Sequence, residues 1–248
     1  MKTATVWWCL ENLLSPHQII NLTETLGYDG IEMAPETEWS RIAHAGLAIV
    51  SHRGHGSLED GLNVSANHDR IERELLANIE LAHTWKVPVL ICFSGNRRGM
   101  TDEQGAENTA AGLLRVARAA EEAGVVLALE LLNSKIDHRD YQCDRTSWGV
   151  QVIENVHSPS VKLLYDIYHM QIMEGDVIRT IQGNHQHFGH YHLAGNPGRN
   201  EPDNRQEINY PPIAEVIEST GFSGYLGMEF LPSIDPSDAL RVARELVR

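Results

Sequence analysis

Four side chains of types that bind metal ions stand at or near the ends of apolar, strand-like stretches. Glu130 follows "LAL", Asp166 follows "VKLLY", His192 lies within "HYHLAG" and Glu229 follows "LGM". Three carboxylates gathered in one place would repel each other and lose hydration unless a cation lay between them. Their oxygens and one imidazole nitrogen suit Mg²⁺ or Mn²⁺, with Co²⁺ and Zn²⁺ as alternatives. If the fold brings these side chains together, the sequence predicts a divalent metal site.

The two glutamates of this set also suggest a reaction. A divalent cation that binds a carbonyl and the neighbouring hydroxyl polarises the carbonyl and acidifies the adjacent C–H. One of Glu130 and Glu229 would then remove that proton, and the other would deliver or relay one, through an enediolate. The pattern predicts isomerisation or epimerisation of an α-hydroxycarbonyl compound, with no organic cofactor.

Eight apolar, strand-like stretches alternate with helical patterns along the chain. The stretches cover residues 3–8, 29–34, 47–53, 87–94, 124–132, 161–166, 187–195 and 224–230. Helix signals between them include Ser15 and Pro16 at a start, and Gly27 and Gly124 at ends. Eight strand–helix units in 248 residues predict an α/β fold, a (β/α)8 TIM barrel, as a single domain over residues 1–248. The alternative, an open doubly wound sheet, normally has a glycine-rich loop after its first strand, and "WWCLENLLSP" has no glycine.

The predicted barrel explains how distant ligands would meet. The C-terminal ends of barrel strands form the face that carries the chemistry. Predicted strands five to eight each deliver one of the four candidate ligands to that face. His190 precedes His192 by two residues and shares its side of the strand, one layer deeper, so we interpret it as a core residue.

Longer segments resemble the hydroxypyruvate isomerase family of the xylose isomerase-like barrel superfamily. They are "SHRGHGSLEDGLN", "ICFSGNRRGMTDEQG", "ELLNSKIDHRDY", "LLYDIYHMQIMEGD", "HLAGNPGRNEPD", "EINYP" and "GFSGYLGMEF", and the similarity runs from Trp7 to Pro232. The resemblance implies a metal-dependent intramolecular oxidoreductase of carbohydrate metabolism. Its implied reaction interconverts hydroxypyruvate and tartronate semialdehyde (2-hydroxy-3-oxopropanoate).

The resemblance assigns two functions to the glutamates. It implies that Glu130 and Glu229 are metal ligands as well as the acid/base pair, and that Asp166 completes the site. His192 departs from the pattern, since hydroxypyruvate isomerases usually carry Gln there and the related ketose 3-epimerases carry His. Close relatives are also assigned to 2-oxo-tetronate isomerisation. A 2-oxo-tetronate isomerase and a ketose 3-epimerase are therefore open alternatives.

The resemblance further implies substrate-binding residues. His169 would contact substrate oxygens, and Arg199 would bind the anionic end of the substrate. An arginine suits a carboxylate because its planar guanidinium matches two oxygens. Lys135 and His55, on loops after predicted strands five and three, are further candidates for substrate binding.

Two other functional classes fit the same barrel. A DNA repair hydrolase of the endonuclease IV type holds three zinc ions, so His55, His169 and His190 would have to complete its ligand set. A sugar-binding barrel with a structural metal would lack catalysis altogether. The formal net charge of −14 disfavours nucleic acid, because such partners usually meet a basic face.

Composition indicates the surroundings in which the protein works. Three cysteines with no C-x-x-C spacing are typical of a reducing cytoplasm. The chain has no apolar run of about 20 residues, so no membrane span is predicted, and its first residues do not form a signal peptide pattern. The predicted partner is a small-molecule substrate. The oligomeric state is open, with a homo-oligomer as one alternative.

Overall fold

Eight parallel strands close into a barrel in sequence order, β1-β2-β3-β4-β5-β6-β7-β8, in the computed structural model, which describes residues 1–247. The strands are β1 (Lys2–Val6), β2 (Gly30–Glu32), β3 (Ala48–Arg53), β4 (Val89–Cys92), β5 (Val126–Glu130), β6 (Val161–Asp166), β7 (Phe188–Leu193) and β8 (Tyr225–Met228). The α-helices are α1 (Pro16–Thr25), α2 (Glu36–His44), α3 (His68–Trp85), α4 (Asp102–Ala123), α5 (Thr146–Val156), α6 (Ile167–Met173), α7 (Val177–Asn184), α8 (Tyr210–Ser219) and α9 (Pro236–Leu246). The predicted (β/α)8 TIM barrel is confirmed. That residues 1–248 form one domain stays a prediction.

One compact unit contains β1, β2 and β8, together with β3 as far as Ser51 and β7 from Tyr191 onwards. Helices α1, α2, α7, α8 and α9 belong to it. Strands β8, β1, β2 and β3 pair in parallel within this unit, and β7 pairs with β8. The β7–β8 register places His192 opposite Gly227, two residues before Glu229. The pairing therefore fixes the height of His192 relative to the end of β8.

The other compact unit contains β4, β5 and β6 with helices α3 to α6. Here β4 pairs with β5, and β5 pairs with β6, with Glu130 opposite Leu164. Nearly every residue of these strands is buried, as expected for parallel strands covered on both faces. Each large apolar side chain buried in this way stabilises the fold by about 1.5–3 kcal/mol.

The helix signals act where the sequence predicts them. Ser15 and Gln18 form a capping box around Pro16 at the start of α1, and Gly124 follows α4 with a left-handed φ of 69°. The first strand ends earlier than predicted, at Val6, because the chain turns into a 3₁₀ helix at Trp7. Within residues 1–247, no helix combines the length and apolar character needed to cross a membrane.

Candidate metal centre and active site

Glu130 and Asp166 are the last residues of the paired strands β5 and β6, and both are buried. Asp166 is also the N-cap of α6, since its Oδ1 accepts a 3.0 Å hydrogen bond from the His169 backbone N–H. An acid that ends a strand is commonly such a cap. Because a carboxylate has two acceptor oxygens, capping through Oδ1 is compatible with metal binding through Oδ2.

His192 lies in β7, and Glu229 follows β8 directly. His192 Nδ1 is 3.4 Å from Glu229 Oε2. The Trp8 indole N–H donates to Glu229 Oε1 over 3.2 Å, and the Arg199 guanidinium donates to Oε2 over 2.5 Å. Both oxygens of the Glu229 carboxylate therefore accept hydrogen bonds, and these bonds orient it.

The four predicted ligands are close in space. One ligand atom from each of Glu130, Asp166, His192 and Glu229 lies within 4.8 Å of the others, and all four residues are buried. Buried carboxylates this close together require a compensating positive charge. Three oxygen donors and one nitrogen donor fit a hard or borderline divalent cation. The side chains meet as the sequence predicts, and their binding of an ion stays a prediction.

Sequence reasoning missed one buried acid, Glu32, the last residue of β2. Its Oε2 accepts a 2.7 Å hydrogen bond from the Ser51 hydroxyl and lies 3.1 Å from His192 Nε2. Glu32, His190 and His192 form a second group whose ligand atoms lie within 4.8 Å of one another. His190 is fully buried, in agreement with its interpretation as a core residue. The available signal was an acid near the end of a strand-like stretch, "DGIEMA", in which only Met33 and Ala34 follow it.

His169 is fully buried in α6 and is not a surface residue. Its Nδ1 accepts from the Asn133 backbone N–H over 3.2 Å and lies 2.6 Å from the Asn133 side-chain amide nitrogen. Since Nδ1 accepts, a neutral His169 carries its proton on Nε2, which is 3.8 Å from Asp166 Oδ2. His169 therefore presents an N–H donor beside a candidate metal ligand.

Arg199 is held by an unusual backbone conformation. Its φ is 55°, the preceding Gly198 has a φ of 98°, and Gly195 and Asn200 form an antiparallel bridge around the turn. The guanidinium lies over the Trp8 ring, 5.2 Å from its centroid, in a cation–π arrangement. A left-handed φ at a non-glycine residue is often found at functional sites. The loop positions the Arg199 charge at Glu229.

The remaining two candidates differ in burial. His55 is buried, and its Nε2 accepts from the Phe93 backbone N–H over 3.0 Å, which leaves the proton on Nδ1. Nδ1 is itself buried and makes no hydrogen bond. Lys135 is exposed, and its ammonium donates to the carbonyls of Ile172 and Met173 at the end of α6. Substrate binding by His55 and Lys135 stays a prediction.

His55 should make stability depend on pH. Burial lowers its pKa from 6.5 to about 4, partly offset by the Glu74 charge. Between these values the unfolded chain binds the proton and the folded chain does not, so stability falls as the pH falls. Between pH 7.5 and 5.0 we expect the wild type to lose about 2 kcal/mol more unfolding free energy than His55→Gln, measured by urea denaturation. Equal losses in the two proteins would contradict the burial of a neutral imidazole.

The family is decided by a match over most of the chain. A sequence model of xylose isomerase-like TIM barrels matches residues 20–248. The chain belongs to the xylose isomerase-like TIM barrel family. All four candidate metal ligands of this xylose isomerase-like barrel lie in the matched part, and so does Glu32.

Two curated relatives of this xylose isomerase-like barrel are named isomerases. The 2-oxo-tetronate isomerase of Cupriavidus necator is 36% identical over 124 residues, which is 50% of this chain and 47% of the relative. The hydroxypyruvate isomerase of Escherichia coli K12 is 32% identical over 143 residues, 58% of this chain and 55% of the relative. Each alignment thus spans about half of the relative's length.

Solved structures share the fold of this xylose isomerase-like barrel. A protein titled AP endonuclease, family 2, from Brucella melitensis superimposes with a TM-score of 0.86 at 23% identity, covering 96% of both chains. The IolI protein, solved with a zinc atom, superimposes with a TM-score of 0.80 at 17% identity, covering 99% of this chain and 96% of that one. At these identities the likeness establishes the fold alone.

Proposed function

We propose that this protein is a divalent-metal-dependent isomerase that interconverts hydroxypyruvate and tartronate semialdehyde. The observation that carries the proposal is the buried group of Glu130, Asp166, His192 and Glu229, whose ligand atoms lie within 4.8 Å of one another. The names of the two isomerase relatives support the reaction class. The zinc atom in the IolI structure supports a metal at this kind of barrel.

The protein residues divide the proton transfers between them. A bound divalent cation supplies charge that makes the C–H beside a carbonyl more acidic. One of the Glu130 and Glu229 carboxylates removes a proton from C3 of hydroxypyruvate, and the other delivers a proton to C2. A proton also moves from the C3 hydroxyl oxygen to the C2 carbonyl oxygen. The product has an aldehyde at C3 and a hydroxyl at C2, so atoms and electrons balance without an organic cofactor.

Two side chains, a neutral imidazole and a guanidinium, orient the substrate in this proposal. The His169 Nε2–H donates to a substrate oxygen, in the tautomer that Asn133 imposes. Arg199 binds the substrate carboxylate. This new contact replaces part of the contact that Arg199 makes with Glu229 in the structure. A requirement for an anionic substrate favours hydroxypyruvate or a 2-oxo-tetronate over a neutral ketose.

A substrate panel tests the proposal. Hydroxypyruvate, 2-oxo-tetronates and free ketoses are each incubated in D₂O with Mn²⁺ or with chelator, and products are followed by NMR. We expect conversion of hydroxypyruvate with deuterium at carbon, dependent on Mn²⁺. Conversion of a 2-oxo-tetronate or a ketose alone would change the substrate assignment. No conversion and no exchange with any compound would refute an isomerase and favour a non-catalytic barrel.

Arg199→Lys should weaken binding of the anionic substrate. Lysine keeps the charge but loses the two parallel N–H donors, so we expect KM for hydroxypyruvate to rise about 10- to 100-fold, measured by steady-state kinetics. The matched control is Arg205→Lys, an exposed arginine of the same loop that pairs with Asp203, and its KM should equal that of the wild type. An unchanged KM in Arg199→Lys would exclude the carboxylate contact.

A further inference from the structure

The Glu32 carboxylate lies beside His192, and the proposed reaction assigns no function to it. Glu32, Ser51 and His192 are each fully buried. The Ser51 hydroxyl donates to Glu32 Oε2 over 2.7 Å, and His192 Nε2 lies 3.1 Å from the same oxygen. Burial removes the hydration of a carboxylate and so costs free energy. Hydrogen bonds from neighbouring donors offset that cost and hold the carboxylate in place.

The backbone of β8 leaves the space in which this contact forms. Gly227 lies opposite His192 in the β7–β8 register. A Cβ atom at Gly227 would overlap Glu32 Oε1 and would lie 2.7 Å from His192 Cδ2. A side chain at position 227 would therefore require the Glu32 carboxylate or the His192 ring to shift from its present position. The close approach of an acid and an imidazole here depends on glycine.

The two ring nitrogens of His192 face different carboxylates. Nε2 is 3.1 Å from Glu32 Oε2, and Nδ1 is 3.4 Å from Glu229 Oε2. An ionised carboxylate only accepts hydrogen bonds, so the contact with Glu32 requires a proton on Nε2. A neutral imidazole then has its lone pair on Nδ1, on the side of Glu229.

We infer that Glu32 is a positioning residue that fixes His192 as the Nε2–H tautomer and directs Nδ1 to the metal centre. The inference rests on the metal centre of the proposed function and adds to it a residue that touches neither metal nor substrate. Histidine ligands commonly donate their second ring N–H to a carboxylate, which orients the ring and raises its basicity. Glu32 supplies that carboxylate, and Ser51 orients it.

A competing assignment makes Glu32 a metal ligand in its own right. Ligand atoms of Glu32, His190 and His192 also lie within 4.8 Å of one another. In that case His192 would use Nε2 for a second ion, and the protein would bind two ions per chain. The positioning assignment requires one ion, with Nε2 protonated. The number of ions and the tautomer therefore separate the two assignments.

Mn²⁺ affinity of purified, metal-free protein tests the inference. We compare the wild type, Glu32→Ala, Glu32→Gln and Ser51→Ala by EPR titration, with circular dichroism to confirm folding. Glu32→Ala should bind one Mn²⁺ about 10- to 100-fold more weakly than the wild type. Glu32→Gln should lose less, because its amide oxygen still accepts from Nε2–H, and it keeps the test decisive if Glu32→Ala does not fold. Ser51→Ala should lose least, since the contact between Glu32 and His192 remains.

The tautomer is read separately by NMR of ¹⁵N-histidine-labelled protein loaded with Zn²⁺, with His192 assigned by its loss in His192→Gln. A proton on Nε2 in the wild type supports the inference. A proton on Nδ1, or unchanged Mn²⁺ affinity in a folded Glu32 variant, would overturn the inference. It would also be overturned if the wild type bound no ion, or if it bound two ions and Glu32→Ala bound only one. Turnover is not used as a readout. A wild type that meets these expectations but isomerises nothing would overturn only the proposed function.

Discussion

Glu130→Gln and Glu229→Gln are each expected to lower kcat for hydroxypyruvate by about a thousandfold or more, since each removes a proton-transfer group that typically contributes 10²–10⁴-fold. Each also removes one negative ligand from the buried group. Steady-state kinetics at saturating Mn²⁺ measures the loss. Full activity in either variant would refute the acid/base assignment.

Deuterium exchange distinguishes the two glutamates. The variant that lacks the proton-removing carboxylate should no longer exchange the C3 hydrogens of hydroxypyruvate with D₂O. The other variant should still exchange them while forming little product. The matched control is Glu38→Gln, a buried glutamate that pairs with Arg41 on α2, and both its exchange and its turnover should match the wild type. Equal exchange in all three variants would contradict proton removal by either carboxylate.

Removal of divalent metal is expected to abolish turnover and to lower stability together. The ion binds only the folded chain, so free Mn²⁺ at 100 times its Kd adds about 2.7 kcal/mol to the free energy of unfolding. For a chain of this length that corresponds to a rise in Tm of roughly 5–10 °C. Chelated protein should regain both activity and Tm on addition of Mn²⁺, followed by differential scanning calorimetry.

Asp166→Asn is the informative variant for this experiment. Asparagine is as good an N-cap as aspartate, so the start of α6 should be retained. The amide lacks the charge that holds a cation, so the Mn²⁺-dependent rise in Tm should be largely lost. Full activity of the chelated wild type, or an undiminished Tm rise in Asp166→Asn, would contradict a metal held by this group.

Most of the fold could be predicted because its signals are local. Apolar stretches of strand length recur eight times, and capping residues and closing glycines such as Ser15, Gly27 and Gly124 mark helix ends between them. Each signal is set by neighbours within a few positions. The end of β1 was misplaced because the apolar pair Trp7–Trp8 continues the strand pattern, whereas the backbone N–H groups of Leu10 and Glu11 bond to the Trp7 carbonyl and form a turn. Hydropathy does not distinguish that turn from a strand.

The candidate site was predictable where an acid lies at the end of a strand or directly after it. It was less predictable where contacts join residues of different strands. Glu130, Asp166 and Glu229 carry that signal in the sequence. Glu32 carries the same signal, but its meaning comes from a contact with His192, 160 positions away in sequence. The pairing of Arg199 with Glu229 likewise depends on left-handed backbone angles at Gly198 and Arg199. Such angles follow from the folded loop and not from residue types alone.

The most direct test is the anomalous difference map of a crystal grown with Mn²⁺. We expect one strong peak bonded at about 2–2.5 Å to Glu130, Asp166, His192 Nδ1 and Glu229, with Glu32 remaining on Nε2 of the same imidazole. A map with no peak among these four side chains, although Mn²⁺ saturates the crystal, would contradict the metal centre and the chemistry proposed for it.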